Sequence, residues 1–260
     1  MPFVTIISDW AGSDFYTGAI KGALLSKVED LKFIEIADNI NKHDITTGVF
    51  ILKSCIPFYP DGTVHLFCIR TQITNNEKIL IVKYKNQYII SNEYCLRSFG
   101  FENNDIEIII PEQETYNGTF PELDIYVPLA THLLTGKSFY DAGKLYPGNI
   151  PDFASKPEIR KEKDLIIIDA HIIYIDSYGN LITDLKKEQF EELVGIKKFE
   201  ITIENSREKI NKISKKYDDV EKGDILALFN SLGLLEIAYN YGRAIDLVKV
   251  KLKSIIRIIV

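Results

Sequence analysis

A chain of 260 residues is long for one core and short for three, so two domains are expected. With 46% hydrophobic and 26% charged residues, its composition is that of a folded chain and not a disordered one. The formal net charge of -6 argues against general affinity for nucleic acid, because a phosphate backbone needs a basic face.

The first half alternates strands and helices. Phe3–Ile7 is a short apolar run, broken by Ser8 to Gly12. Asp14 to Lys27 has helical spacing, with Asp14 or Ser13 as N-cap. Phe33–Ile36 reads as a strand, Asp44 to Cys55 as a helix ended before Pro57, and Thr63–Ile69 as a strand. Lys78–Tyr84 and Tyr88–Ile90 form a hairpin around Lys85-Asn86. Ile106–Ile110 is a further strand, and Asp124–Leu134 a helix closed by Gly136. This alternation predicts an α/β fold with an N-terminal mostly parallel sheet and flanking helices, over residues 1–150.

Tyr146 to Lys163 carries three prolines and mixed charge, and reads as a linker. Beyond it come the strand-like runs Leu165–Ile175, Leu181–Thr183, Phe199–Ile203, Ile225–Phe229, Leu234–Ala238 and Val248–Val260. Their spacing suggests a smaller C-terminal antiparallel β-barrel or sandwich over residues 164–260.

Cys55, Cys68 and Cys95 have no paired spacing, and each has apolar neighbours, which fits buried thiols in a reducing compartment. His43, His65, His132 and His171 show no metal-ligand spacing. The N-terminus has no basic region ahead of its first apolar run, and no apolar run approaches a membrane span. The expected location is the cytoplasm, with no membrane and no nucleic-acid partner.

Asp9 follows the first strand and Asp14 opens the next helix. In an open α/β sheet, ligands sit beyond the carboxyl ends of strands. A carboxylate there suits a diol or an ammonium; equally, Asp14 can be a helix cap and Asp9 a turn residue. Asp176 to Asn180 joins two strands, and is either a ligand loop or a hairpin turn, since Gly179 and Asn180 tolerate positive φ. Asn230 to Gly233 is a second loop of the same kind and carries Ser231. Tyr217 and Tyr239 flank it, as ring-stacking faces or as ordinary core and surface aromatics.

Five segments, ISDWAGSDFYTGAIKG, ADNINKHDITTG, FYPDGTVHL, IDSYGNLITDL and NSLGLLEIAYN, resemble in order and spacing the S-adenosylmethionine hydroxide adenosyltransferases. These are relatives of the S-adenosylmethionine-dependent fluorinase and chlorinase. The resemblance implies a homotrimer, with S-adenosylmethionine or adenosine held between the N-terminal domain of one subunit and the C-terminal domain of its neighbour. It implies displacement by water at the ribose C5′, giving adenosine and methionine with no metal or organic cofactor. By position, Asp9 would hold the ribose hydroxyls, Asp14 and Asp176 the methionine ammonium, and Ser231 its carboxylate. Asn180 would read the adenine edge, with the ring between Tyr217 and Tyr239.

The resemblance breaks at the water-activating positions. The family's Asp, Arg and His fall on Arg70, Glu77 and Pro121. Proline offers no side-chain donor or acceptor. Arg70 and Glu77 can pair as a structural remnant, or Glu77 can act as a base oriented by Arg70. Glu122 falls where the halogenases place a serine beside the halide, and a carboxylate there repels an anion. Three readings follow: a hydrolase, a binding protein without turnover, or a trimeric scaffold whose cleft Arg70 fills by pairing with Asp9 or Asp176.

Overall fold

The computed structural model describes residues 1–72, 77–101, 105–112, 116, 118–163 and 165–260. The chain divides into two compact units, Met1–Ala154 and Ser155–Val260. Asp164, the expected first residue of the second domain, lies outside the described residues.

The first unit is built on seven strands: β1 (Phe3–Ser8), β2 (Lys32–Ala37), β3 (Val64–Cys68), β4 (Ile79–Tyr84), β5 (Gln87–Asn92), β6 (Ile106–Pro111) and β7 (Gly143–Leu145). Their order is β2-β1-β3-β5-β4-β6-β7. The run from β2 to β5 is parallel, and the β4/β5 hairpin turns the rest antiparallel. Lys85 and Asn86 both take positive φ at the hairpin tip, as a two-residue turn requires. Helices α1 (Tyr16–Leu25), α2 (Ile45–Cys55), α3 (Glu93–Leu96) and α4 (Val127–Leu134) flank the sheet.

Strand alternation sorts the core into two layers. Val4, Ile6, Leu66 and Ile81 pack with Ile20 and Leu24 of α1 and Ala130 of α4. Ile7, Phe67, Leu80 and Ile89 pack with Val49 and Leu52 of α2 and Leu96 of α3. Cys68 and Cys95 are buried and Cys55 partly so.

One buried polar unit ties this sheet together. His65 on β3 is fully buried. Its Nδ1 meets the Thr5 hydroxyl at 2.7 Å and its Nε2 meets Gln87 Oε1 at 2.6 Å. The Gln87 amide donates to the carbonyls of Ile56 and Tyr59, which fixes its oxygen toward the ring. The imidazole is therefore neutral, with Nε2 donating. Burial lowers its pKa to about 4, the Gln87 contact opposing this in part. The unfolded chain binds a proton near pH 6.5, so the contribution of His65 is complete above that pH and is lost as pH falls toward 4. Denaturant titrations of wild type and His65→Asn should show their stability difference shrinking by about 2–3 kcal/mol from pH 7.5 to 4.5. A pH-independent difference would reject this assignment.

The second unit holds nine strands: β8 (Glu158–Glu162), β9 (Leu165–Ile175), β10 (Leu181–Lys186), β11 (Glu200–Ile203), β12 (Lys209–Ile210), β13 (Ile213–Ser214), β14 (Ile225–Phe229), β15 (Leu234–Tyr239) and β16 (Ile255–Ile259). They form one barrel-like sheet in the order β12-β11-β16-β9-β10-β15-β14-β13, with β8 beside β9. All pairs but β13/β14 are antiparallel. Helices α5 (Lys187–Val194) and α6 (Ala244–Leu247) complete it.

Three expectations are corrected here. Part of the proline-rich linker is strand β8, whose residues Glu158 to Glu162 are all exposed, so no hydrophobic alternation marked it. Arg160 on β8 reaches Asp169 on β9 at 2.6 Å, and Arg257 on β16 grips the same carboxylate at 2.6 and 2.9 Å. Val248–Val260 is not one strand: only Ile255–Ile259 is, and Lys253 just before it takes φ 71°. Helix α1 starts at Tyr16 with Phe15 at its N-cap and no side-chain cap, so neither Asp14 nor Ser13 caps it.

Candidate functional site

In the first unit the candidate residues lie beyond the carboxyl ends of β1 and β3. Asp9 directly follows β1. Its Oδ2 accepts the backbone amides of His43 at 2.8 Å and Arg70 at 3.2 Å. Both donors lie in loops and take left-handed backbone, φ 65° at His43 and φ 50° at Arg70. Such residues cost free energy and persist where the surroundings hold them. At Arg70 the hold is visible, since the Asn92 amide donates to its carbonyl at 2.8 Å. Asp9 Oδ1 accepts no hydrogen bond among the described residues and is available to a ligand. Asp14 is exposed; its amide turns back to the Ala11 carbonyl at 2.9 Å, and its carboxylate is unengaged among the described residues.

The Arg70 side chain points to another duty. Its guanidinium pairs with Glu77 at 3.1 Å and lies 4.0 Å over the Tyr94 ring. The exchanged pair is thus made. The guanidinium bonds Glu77 rather than the Asp9 carboxylate, which counts against the part of the scaffold reading in which Arg70 covers Asp9. Pro121 is buried at the head of a π-helical turn, Glu122–Tyr126. Around that turn Trp10, Phe15, Tyr16 and Phe120 form an aromatic cluster with centroids 4.4–6.2 Å apart.

In the second unit the candidate residues lie at two hairpin loops. Asp176 Oδ1 accepts the Asn180 amide at 2.8 Å, and its Oδ2 accepts Asn180 Nδ2 at 3.0 Å. Asn180 is buried, and this pair sets its orientation, leaving Oδ1 free of those contacts. Gly179 between them has φ 80°, and a Cβ there would lie 2.9 Å from Arg243 Cβ. Only glycine fits this turn.

In the second loop, Asn230 Oδ1 accepts the amides of Leu232 and Leu234 at 3.0 and 3.2 Å, which bends the chain so that Ser231 is exposed. Asn230 Nδ2 donates to Glu236 Oε2 at 3.1 Å, and the Tyr217 hydroxyl donates to Glu236 Oε1 at 2.7 Å. Glu236 is only 3% exposed. Burial raises its pKa; the Tyr217 and Asn230 bonds oppose this, and the nearby Asp176 charge adds to it. Tyr217 keeps 45% of its surface exposed, whereas Tyr239 is buried in the barrel core. Of the two rings, Tyr217 alone offers an open face.

Sequence reading placed Asp9, Asp176, Asn180, Tyr217 and Ser231 on these loops but gave Glu236 no role. Its signal was available: a lone acid in the otherwise apolar run Leu234–Tyr239. Among the described residues no group of three or more His, Cys, Asp or Glu side chains gathers as a metal ion needs, and no helix is long and apolar enough to cross a membrane.

Asp9 is clamped by two backbone amides just past a strand end of the first unit, and in the second unit Asp176 orients the buried Asn180 amide. The chain belongs to the S-adenosylmethionine hydroxide adenosyltransferase family. The family's N-terminal domain matches residues 4–143 and its C-terminal domain residues 170–257. An (R)-S-adenosyl-L-methionine hydrolase of Methanocaldococcus jannaschii is 28% identical, with 100% of this chain and 96% of the relative covered. One from Salinispora arenicola is 22% identical, with 96% and 94% covered. An uncharacterised conserved protein from Thermotoga maritima shares the fold at TM-score 0.81 and 22% identity, over 99% of both chains.

Proposed function

We propose that this protein binds S-adenosylmethionine and hydrolyses it to adenosine and methionine, as a cytoplasmic homotrimer. The observation that carries the reading is Asp9, a carboxylate fixed by two backbone amides at a strand end with one oxygen open. That is the arrangement a ribose diol requires. Asn180 suits the adenine edge, Tyr217 its face, Ser231 the methionine carboxylate, and Asp14 and Asp176 the ammonium. The sulfonium is already an activated leaving group, so the protein has mainly to orient and desolvate the water.

Incubating the purified protein with S-adenosylmethionine should release adenosine and methionine in equal amounts, read by chromatography. Release at the uncatalysed rate rejects hydrolysis. A second reading, binding without turnover, draws on the Arg70–Glu77 pair and on Pro121, which leave the family's water-activating positions empty of their usual groups. Tight binding with no adenosine above background would establish it.

A further inference from the structure

If the chain is a hydrolase, some group other than the replaced ones takes the proton from the attacking water. Glu77 has one carboxylate oxygen committed to Arg70. Glu122 is differently placed. It opens the π turn, in which the Val127 amide bonds to the Glu122 carbonyl. Pro128 is one cause of that widened turn, because its ring clashes with the carbonyl four residues back and it has no amide to donate. The turn carries Glu122 inward, where it is 2% exposed. Thr71, three residues past β3, lies near its carboxylate and holds its pKa down in part. Among the described residues no cation pairs with it.

A second feature of the same turn is incomplete. Tyr126 is fully buried, and its hydroxyl has no hydrogen-bond partner; Ser91 is near but outside bonding geometry. A buried polar group without a partner is costly and calls for an explanation such as a bound water. Glu122 and Cys68 lie close enough for their charges to raise the Tyr126 hydroxyl beyond the effect of its burial. A carboxylate without a cation and a hydroxyl without a partner thus share one buried polar region, next to Asp9.

We propose that Glu122 is the general base of this chain, taking a proton from the water that attacks C5′ of the sulfonium substrate. This rests on the hydrolase reading above. The water oxygen forms the new bond to C5′ and gives one proton to the Glu122 carboxylate. The C5′–S bond breaks with its electron pair passing to sulfur, so methionine leaves as a neutral thioether. The proton then passes from Glu122 to solvent. Burial raises the Glu122 carboxyl above its ordinary range, with Thr71 opposing and Asp9 and Asp124 adding to the rise. The titratable groups around it are Asp9, Cys68, Tyr116, Asp124 and Tyr126.

The test compares wild type, Glu122→Gln and Glu122→Asp for adenosine release across pH, with S-adenosylmethionine affinity from calorimetry. Glu122→Gln should lower kcat about 100-fold or more with Kd unchanged within about threefold. Wild-type kcat should rise with pH as Glu122 ionises and then level, and the glutamine variant should lose that rise. Should Glu122→Gln fail to fold, Glu122→Asp keeps a carboxylate and should retain the rise at reduced kcat; its loss there overturns the proposal. An active wild type with an equally active glutamine variant overturns the base assignment alone. A wild type that binds and releases no adenosine overturns hydrolysis and the base together.

Discussion

Asp9→Ala should lower affinity for S-adenosylmethionine about a thousandfold. Two hydrogen bonds from ribose hydroxyls to a carboxylate contribute about 1.5–3 kcal/mol each, and losing about 4 kcal/mol in all gives that factor. Alanine also removes the acceptor of the His43 and Arg70 amides, so part of the loss is disorder in two loops. Asp9→Asn separates the two effects. Its side-chain oxygen can still take both amides, while its NH2 now faces the ligand and cannot accept from a hydroxyl. The asparagine variant should melt near wild type and still bind weakly by calorimetry. Wild-type affinity in Asp9→Asn would remove the ribose assignment.

Glu236→Ala is expected to have the second largest effect, about 4 kcal/mol of stability by chemical denaturation. It deprives the Tyr217 hydroxyl and the Asn230 amide of their common acceptor inside the second unit. Asn230 cannot compensate by flipping, because its oxygen holds the amides of Leu232 and Leu234. Ligand affinity should fall with stability, since the carboxylate fixes both the open ring and the loop bearing Ser231. Glu236→Gln should be much milder. Its amide oxygen can accept from Asn230 and its NH2 can donate to the Tyr217 oxygen. An alanine variant as stable as the glutamine variant would show that the network carries no energy.

The strands and helices of the first unit were legible because apolar runs alternate there with periodic segments. Strand β8 was not, since an edge strand of five exposed residues is stabilised by pairing and by the Arg160–Asp169 contact, and neither leaves a local pattern. Asp9, Asp176, Asn180 and Ser231 could be placed in loops because each lies in a short polar break that follows a strand. Whether Tyr239 is a stacking face or a core aromatic was not legible, because aromatic content does not tell an inward from an outward strand position; it is buried. Glu236 was unassigned for a related reason: a lone acid reads as surface until the fold shows what surrounds it.

The two left-handed residues that hold Asp9 do so through main-chain amides, and their side chains take no part in the grip. The position of Asp9 is therefore indifferent to which side chain stands at 70, provided the backbone keeps its turn. Exchanging the side chain at 70 would alter the contacts with Glu77 and the Tyr94 ring without moving the carboxylate we assign to the ribose.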